Sequence, residues 1–417
     1  MNKMTKSKTQ PGKWLTAVGA VAAAMVLSST FAATAADPAE VKIGVVMPVS
    51  GPWARTGNFY VDGAKLAVDN INAQGGIKSL GGAKIKLIIY DAGDGPEPAK
   101  NAAQRMVAQE PDLVAAAGSW LSTLTLAVSE VTERAKLPLI TGSSANQITE
   151  RGLKYIFQTV PKGSSYIGQL SPGIMELAEA ATGRKPTTAV MIGDNTAATG
   201  NWAEVFRKET LPKAGVKIVV DEIYTPPLSD ATPLIQKLRR IKPDVFILLT
   251  TTSVDSKLML DKLNELGIKI PVFVPANVMA SSEVPSIIAP KILEGVMVAV
   301  NNWGTDPAIV AEYKKRTGEP FMAQESSNAY GDMWVLKEAI ERAKAPDREK
   351  VAQAMREIDI PINEGIGKYY FGGKLKFNEK GERVGAGVMI VQWQGGKIVP
   401  VWPASRAQGV KAIWPTQ

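Results

Sequence analysis

Residues 41–77, VKIGVVMPVSGPWARTGNFYVDGAKLAVDNINAQGGI, decide the fold. An apolar run over 42–49 enters a loop of Ser50, Gly51 and Pro52, and a long amphipathic segment follows. The pattern predicts strand, loop and helix. Such a unit sets backbone N–H groups and short hydroxyls at the carboxyl edge of a parallel sheet, where α/β proteins hold small ligands. The loop also carries Trp53 and Arg55, two large side chains. The Gly spacing that grips a phosphate is absent, so a nucleotide is not indicated.

Working outward, residues 1–36 read as an export leader. Lys3, Lys6, Lys8 and Lys13 form a basic start, 14–30 is apolar, and Ala33-Thr34-Ala35 supplies a small-x-small cleavage pattern. The apolar run is broken by Thr16, Gly19, Ser28 and Ser29 and is short of the ~20 residues that span a bilayer. The expected product is a mature chain starting near Ala36 in the bacterial periplasm. Its length exceeds what one core supports, which implies two domains. Removing the four leader lysines from 48 basic residues leaves 44 against 40 acidic ones, a net +4 in place of +8. These charges are well mixed, which gives no basic stripe for nucleic acid.

The chain has no Cys and no His. Disulfides, thiol nucleophiles and thiolate metal sites are therefore excluded. So is a Ser-His-Asp triad, and with it the commonest general base. Asp91 and Asp94 lie in a turn, where Asp ordinarily receives local backbone N–H groups. No metal and no cofactor is expected.

Beyond the leader, short apolar runs alternate with amphipathic segments. Strands are expected at 42–48, 84–91, 113–118, 137–141, 155–160, 188–193, 217–224, 244–250, 272–275 and 295–300. Helices are expected at 57–74, 97–109, 123–136, 165–182, 202–214, 231–241 and 256–266, and near 307–317, 327–343 and 348–357. This alternation predicts an α/β protein of two doubly wound parallel-sheet lobes joined by a hinge. From 367 to 402 the pattern turns to strand-turn-strand, with Gly372-Gly373 and Gly395-Gly396 as hairpin turns. A cleft between hinged lobes is a natural site for a small ligand.

Several ordered marks then resemble one family. They include Ile43-Gly44-Val45-Val46 with Ser50-Gly51-Pro52, Gly63-Ala64 through Asp69-Asn70-Ile71-Asn72, Gly75-Gly76-Ile77 and Tyr90-Asp91. Gly118-Ser119, Leu137-Pro138-Leu139-Ile140-Thr141, Ser143-Ser144-Ala145, Phe157-Gln158-Thr159, Asn328-Ala329-Tyr330 and Phe377-Asn378-Glu379-Lys380-Gly381 follow in order. The chain resembles the periplasmic solute-binding proteins of branched-chain amino acid (leucine/isoleucine/valine) ABC transporters, which have the type I fold. The resemblance runs from about 41 to 402. It implies a non-enzymatic, monomeric protein that captures a small solute by hinge closure and passes it to a membrane permease. A ligand sensor presented to a membrane receptor is the alternative; a secreted enzyme using carboxylates is a third. The lobes implied are 37–160 with about 288–365, and 161–287 with about 366–417.

The resemblance also implies where a ligand sits. The first lobe would grip a carboxylate and an amino group with the loops around Trp120, Ser122 and Thr123 and around Ser143, Ser144 and Ala145. Ser122 and Thr123 also read as plain helix N-caps. Ser144 and Ser143 compete for the role of the hydroxyl that meets the amino group. In the second lobe Asn277 stands where amino acid binders carry a Glu, and Thr251 and Thr252 stand where an aromatic is expected. These departures, with Trp53, Trp120 and Trp202 at the expected cleft edge, point to a broad site. Its ligand would be an amino acid or a related hydrophobic or aromatic carboxylate or amide. Arg55 reads either as a carboxylate partner or as a solvated loop residue.

Overall fold

The computed structural model describes residues 40–304 and 306–415. The leader and its cleavage pattern lie outside the described residues. Two separate sheets dominate, each with helices on both faces. The first is five-stranded in the order β2-β1-β3-β4-β5. Its strands are β1 (Glu40–Met47), β2 (Lys84–Asp91), β3 (Ala115–Gly118), β4 (Leu139–Thr141) and β5 (Ile156–Gln158). All neighbours in it are parallel.

The alternation within β1 shows why. Ile43, Val45 and Met47 face a core shared with helices Ala54–Ala73 and Gln324–Ala343, while Val46 faces the opposite core with Met106 and Leu124. A strand buried on both faces is the mark of a parallel sheet covered by crossover helices. Helices Ala54–Ala73 and Gln324–Ala343 approach closely at Gly63, where a Cβ would stand 2.2 Å from the Ser326 carbonyl oxygen. Only glycine permits that contact.

The second sheet is seven-stranded. Its strands are β6 (Thr188–Asp194), β7 (Lys217–Tyr224), β8 (Val245–Leu249), β9 (Val272–Val274), β10 (Met297–Val300), β13 (Met389–Gln394) and β14 (Lys397–Trp402), in the order β14-β13-β10-β9-β8-β6-β7. The pairs among β6 to β10 are parallel, and β13 and β14 add as an antiparallel edge. A two-stranded ribbon of β11 (Asp359–Pro361) and β12 (Lys374–Lys376) accompanies the first lobe. The chain passes between the sheets after β5, after β10 and before β13.

Three expectations change. Strand β10 belongs to the second sheet, pairing Met297 with Phe273 and with Gln392, whereas the reading above gave 288–365 to the first lobe. A short, fully buried Met-Val-Ala-Val run fits either sheet equally, so its pattern cannot choose. Tyr370, Leu375 and Phe377 in turn pack in the first core, so the final crossing falls later than 366. Gly395-Gly396 does close the β13–β14 hairpin, but Gly372-Gly373 is no hairpin turn. Those glycines lie against Gly385 and Gly387, where a Cβ at Gly372 would meet the Gly387 nitrogen at 2.2 Å. Two chain segments cross there at backbone contact.

Candidate ligand-binding cleft

The carboxyl edges of the two sheets face each other across a small cavity. First-lobe elements contribute Trp120, Leu121, Ser122, Gly142, Ser144 and Gln324 to its wall. Asn301, at the end of β10, joins them. Second-lobe elements contribute Tyr166, Ala198, Trp202, Thr251, Ala276 and Asn277. Two wider surface grooves, of about 430 and 600 Å³, draw their walls from the second lobe alone. Among the described residues, no lysine or arginine lines the cavity between the lobes.

The first-lobe wall is built by hydroxyls that hold one another. Strand β3 ends at Gly118, whose φ of +130° and closeness to the Val46 carbonyl (2.1 Å from a would-be Cβ) demand glycine. Trp120 follows with φ of +60°, a left-handed conformation that is costly for a bulky residue. The Ser143 hydroxyl donates to the Trp120 carbonyl at 2.6 Å and also lies 2.6 Å from the Thr125 hydroxyl. Ser143 is thereby consumed in supporting the loop, and it does not line the cavity. Ser144 does line it, and its hydroxyl takes no protein hydrogen bond among the described residues. The geometry therefore separates the two serines that the sequence left level.

Ser122 opens helix Ser122–Arg134 but does not cap it; no side chain caps that helix. Its hydroxyl instead accepts the N–H groups of Ser144 (3.2 Å) and Ala145 (3.1 Å), tying the two loops together and leaving its own O–H proton for the cavity. The uncapped first turn also leaves N–H groups at the positive end of the helix. Ala145 acts through that N–H alone, since its methyl is buried away from the cavity. Thr123 accepts the Ala197 N–H at 3.1 Å, a bond from one lobe to the other, and does not reach the cavity.

On the facing wall, Trp202 stacks on Tyr166 with ring centroids 5.4 Å apart and 16° between planes. Trp202 belongs to helix Ala197–Val205, and among the described residues its buried Nε1 has no partner. That donor is available to a ligand acceptor. The Tyr166 hydroxyl donates to the Pro275 carbonyl at 2.8 Å. Thr251 lines the cavity, but its hydroxyl and N–H both donate to Asp194 at 2.7 Å. Thr252 caps helix Ser253–Glu265 by accepting the Asp255 N–H and lies off the cavity.

Trp53 and Arg55 are displaced from the site as first read. Trp53 is buried among Ala92, Ala99 and other residues of the first lobe, because Gly51-Pro52-Trp53 winds into a tight turn that tucks the indole inward. Arg55 lies over the Phe59 ring and pairs with Glu319 at 2.5 Å and Glu283 at 3.4 Å. Glu283 follows β9, so Arg55 closes the rim between lobes. A guanidinium with two carboxylates at hand is not left to a ligand. Asp91 accepts the Val49 and Gly93 N–H groups, as a turn aspartate does.

One residue escaped the sequence reading. Glu325, in the first turn of helix Gln324–Ala343, is buried directly behind the cavity wall. Asn277 Nδ2 lies 2.6 Å from each of its carboxylate oxygens, and Gln324 Nε2 lies 3.4 Å from one. Burial pushes its carboxyl up to about 7, against the opposing pull of bonds from Asn277, Gln324 and Trp120. An acid at a helix start reads as ordinary dipole compensation, so nothing in the sequence marks it out. Here a carboxylate reaches Asn277 from the opposite lobe.

These features agree with the comparisons to known proteins. The chain belongs to the periplasmic binding protein family, whose model matches residues 40–397. This is a family of solute-binding proteins, not of enzymes. The chain is 30% identical over 399 residues to Leu/Ile/Val-binding protein homolog 7 of Brucella melitensis, covering 92% of this chain and 96% of that one. Its fold is similar to that of the branched-chain amino acid transporter substrate-binding protein LivJ of Streptococcus pneumoniae, in complex with isoleucine. The TM-score is 0.74 at 20% identity, over 86% of this chain and 97% of that one. A solute-binding protein from R. palustris in complex with benzoate matches with a TM-score of 0.73 at 16% identity, over 87% and 95%.

Proposed function

We propose that the protein is the solute-binding component of an ABC importer, exported to the periplasm by its 1–36 leader. It takes one small solute between its lobes and presents the closed form to a membrane permease. The observation that carries this reading is a cavity walled from both lobes, with Ser122 and Ser144 opposite Tyr166, Trp202 and Asn277. A ligand there touches both lobes only when they are closed, so its binding energy goes into closure.

The ligand is an amino acid with an apolar side chain, or a hydrophobic or aromatic carboxylate or amide of similar size. Its carboxylate meets the Ser144 hydroxyl, the Ser122 O–H and the first N–H groups of helix Ser122–Arg134. Its apolar part lies on the Trp202–Tyr166 stack. The named relatives bind isoleucine in one case and benzoate in another, which brackets this range. With no cation among the described residues of the wall, dipoles and hydroxyls hold the carboxylate.

Thermal-shift screening of the mature chain against amino acids, aromatic acids and amides tests this. One class should raise Tm progressively with concentration, by the linkage that gives ~2.7 kcal/mol at a hundredfold excess over Kd. A stabilising ligand whose effect is untouched by Ser144→Ala and Trp202→Ala would place the site elsewhere.

A further inference from the structure

The Asn277–Glu325 contact has a property that the capture of a solute does not require. An ionised carboxylate only accepts, so it turns the Nδ2 face of the Asn277 amide toward itself. The other end of that amide, Oδ1, takes no protein hydrogen bond among the described residues, and Asn277 lines the cavity. The ligand therefore meets an acceptor. A protonated carboxyl, by contrast, donates and satisfies Oδ1, so the amide can turn over and present Nδ2. The neighbouring Gln324 has no such freedom, because its Oε1 is fixed by the Asn301 N–H at 2.7 Å.

We propose that Glu325 is a positioning residue that sets, through the Asn277 amide, the hydrogen-bond polarity shown to the ligand. With Glu325 ionised the cleft favours a solute bearing an ammonium or other N–H donor. With Glu325 protonated it favours a solute that brings an acceptor and no donor, such as a simple carboxylate. The inference rests on the cleft being the ligand site and concerns which class that site selects.

The surroundings suit a group that exchanges its proton near neutrality. Glu325 is 3% exposed, and its carboxyl is raised to about 7 by burial. The elements packed on it bring Asn277 from the loop after β9, Gln324 from its own helix and Trp120 from the loop after β3, none of them charged. Tyr166 on helix Gly163–Thr182 couples to it as a titratable group, but burial and Glu325 itself keep that hydroxyl protonated. The rim charges Arg55, Glu283 and Glu319 are paired with one another.

Calorimetry on the mature chain with L-leucine and with benzoate, at pH 8 and pH 6 and constant salt, tests the inference. The preference for leucine over benzoate, taken as the ratio of Kd values, should fall by about tenfold between pH 8 and pH 6, as one proton is taken up. In Glu325→Gln the ratio should stay within about twofold, since a neutral amide satisfies either orientation of Asn277. Titration of leucine itself occurs in both proteins and cancels. Equal loss of both ligands in Glu325→Gln, with the wild-type pH profile kept, would show a merely structural role and overturn the inference. So would a wild-type ratio unchanged between the two pH values, a result that stands even if the variant does not fold. Binding of neither probe by the wild type would overturn the ligand class of the cleft and this inference together. Ser144→Ala, outside the Asn277–Glu325 pair, reports on the cleft alone.

Discussion

Ser122 and Ser144 come from different loops, yet they meet through one hydroxyl. Ser122 holds the Ser144 and Ala145 N–H groups, so removing its oxygen leaves two buried donors unsatisfied. Ser122→Ala should therefore lower both stability, by ~1–3 kcal/mol, and ligand affinity. Ser144→Ala should leave thermal unfolding within ~0.5 kcal/mol of the wild type while weakening binding several-fold, because its hydroxyl supports nothing in the protein. Parallel denaturation and calorimetry separate these roles; equal stability losses in both variants would contradict the assignment. Glu325 adds a stability effect with a definite sign. Its carboxyl is raised in the folded state, so the folded protein holds the proton more firmly than the unfolded chain. That contribution is complete below about pH 4.5 and is lost as pH rises through about 7. Glu325→Gln should thus be more stable than the wild type at pH 8, by on the order of 1–3 kcal/mol, with the gap closing by pH 4.5. Urea denaturation at both pH values checks it.

At the scale of elements, the position of helix Gln324–Ala343 depends on one missing methyl. Gly63 lets helix Ala54–Ala73 lie against the Ser326 backbone, and the Ser326 hydroxyl donates to the Phe59 carbonyl at 2.8 Å and lies 2.8 Å from the Tyr313 hydroxyl. The same helix carries Glu325 to the cavity wall one residue earlier, so helix packing and site geometry share a fulcrum. Gly63→Val should cost ~1–3 kcal/mol or more by overpacking and also weaken ligand binding, although residue 63 is remote from the ligand. Full affinity in a destabilised Gly63→Val protein would show that the two are uncoupled. Most strands and helices were legible in the sequence, since period-2 and period-3.6 patterns are local signals. Strand β10 was not assigned to its sheet, because its four buried residues carry no information about their neighbours.

Across the whole molecule, the lobes are joined by a few polar bonds besides the three crossing segments. Thr123 accepts from Ala197, Asn201 accepts from the Asn146 N–H at 2.7 Å, and Arg55 reaches Glu283. Ser282 completes the rim by donating to Glu319. These bonds favour the closed arrangement without touching the cavity. A triple variant, Arg55→Ala, Thr123→Val and Asn201→Ala, should populate open forms and lower apparent affinity by up to about tenfold, mostly through faster dissociation. Small-angle scattering of the ligand-free variant should show a larger radius of gyration; an unchanged radius with unchanged affinity would remove these residues from the closing mechanism.

The sequence by itself determined the α/β class, the two sheets and the loops at their carboxyl edges, because hydrophobic periodicity and glycine-rich turns act over a few residues. Without His or Cys it also excluded several catalytic chemistries. The tertiary structure decided which side chains the cleft uses. It turned Trp53 inward, spent Ser143, Thr123 and Thr252 on supporting bonds, closed Arg55 onto two glutamates and kept Ser144, Ser122, Trp120, Trp202 and Asn277 at the cavity. It also brought Glu325 to Asn277 across 48 positions of sequence. Such a contact depends on how two lobes and a helix pack together, and no local pattern of residues encodes it.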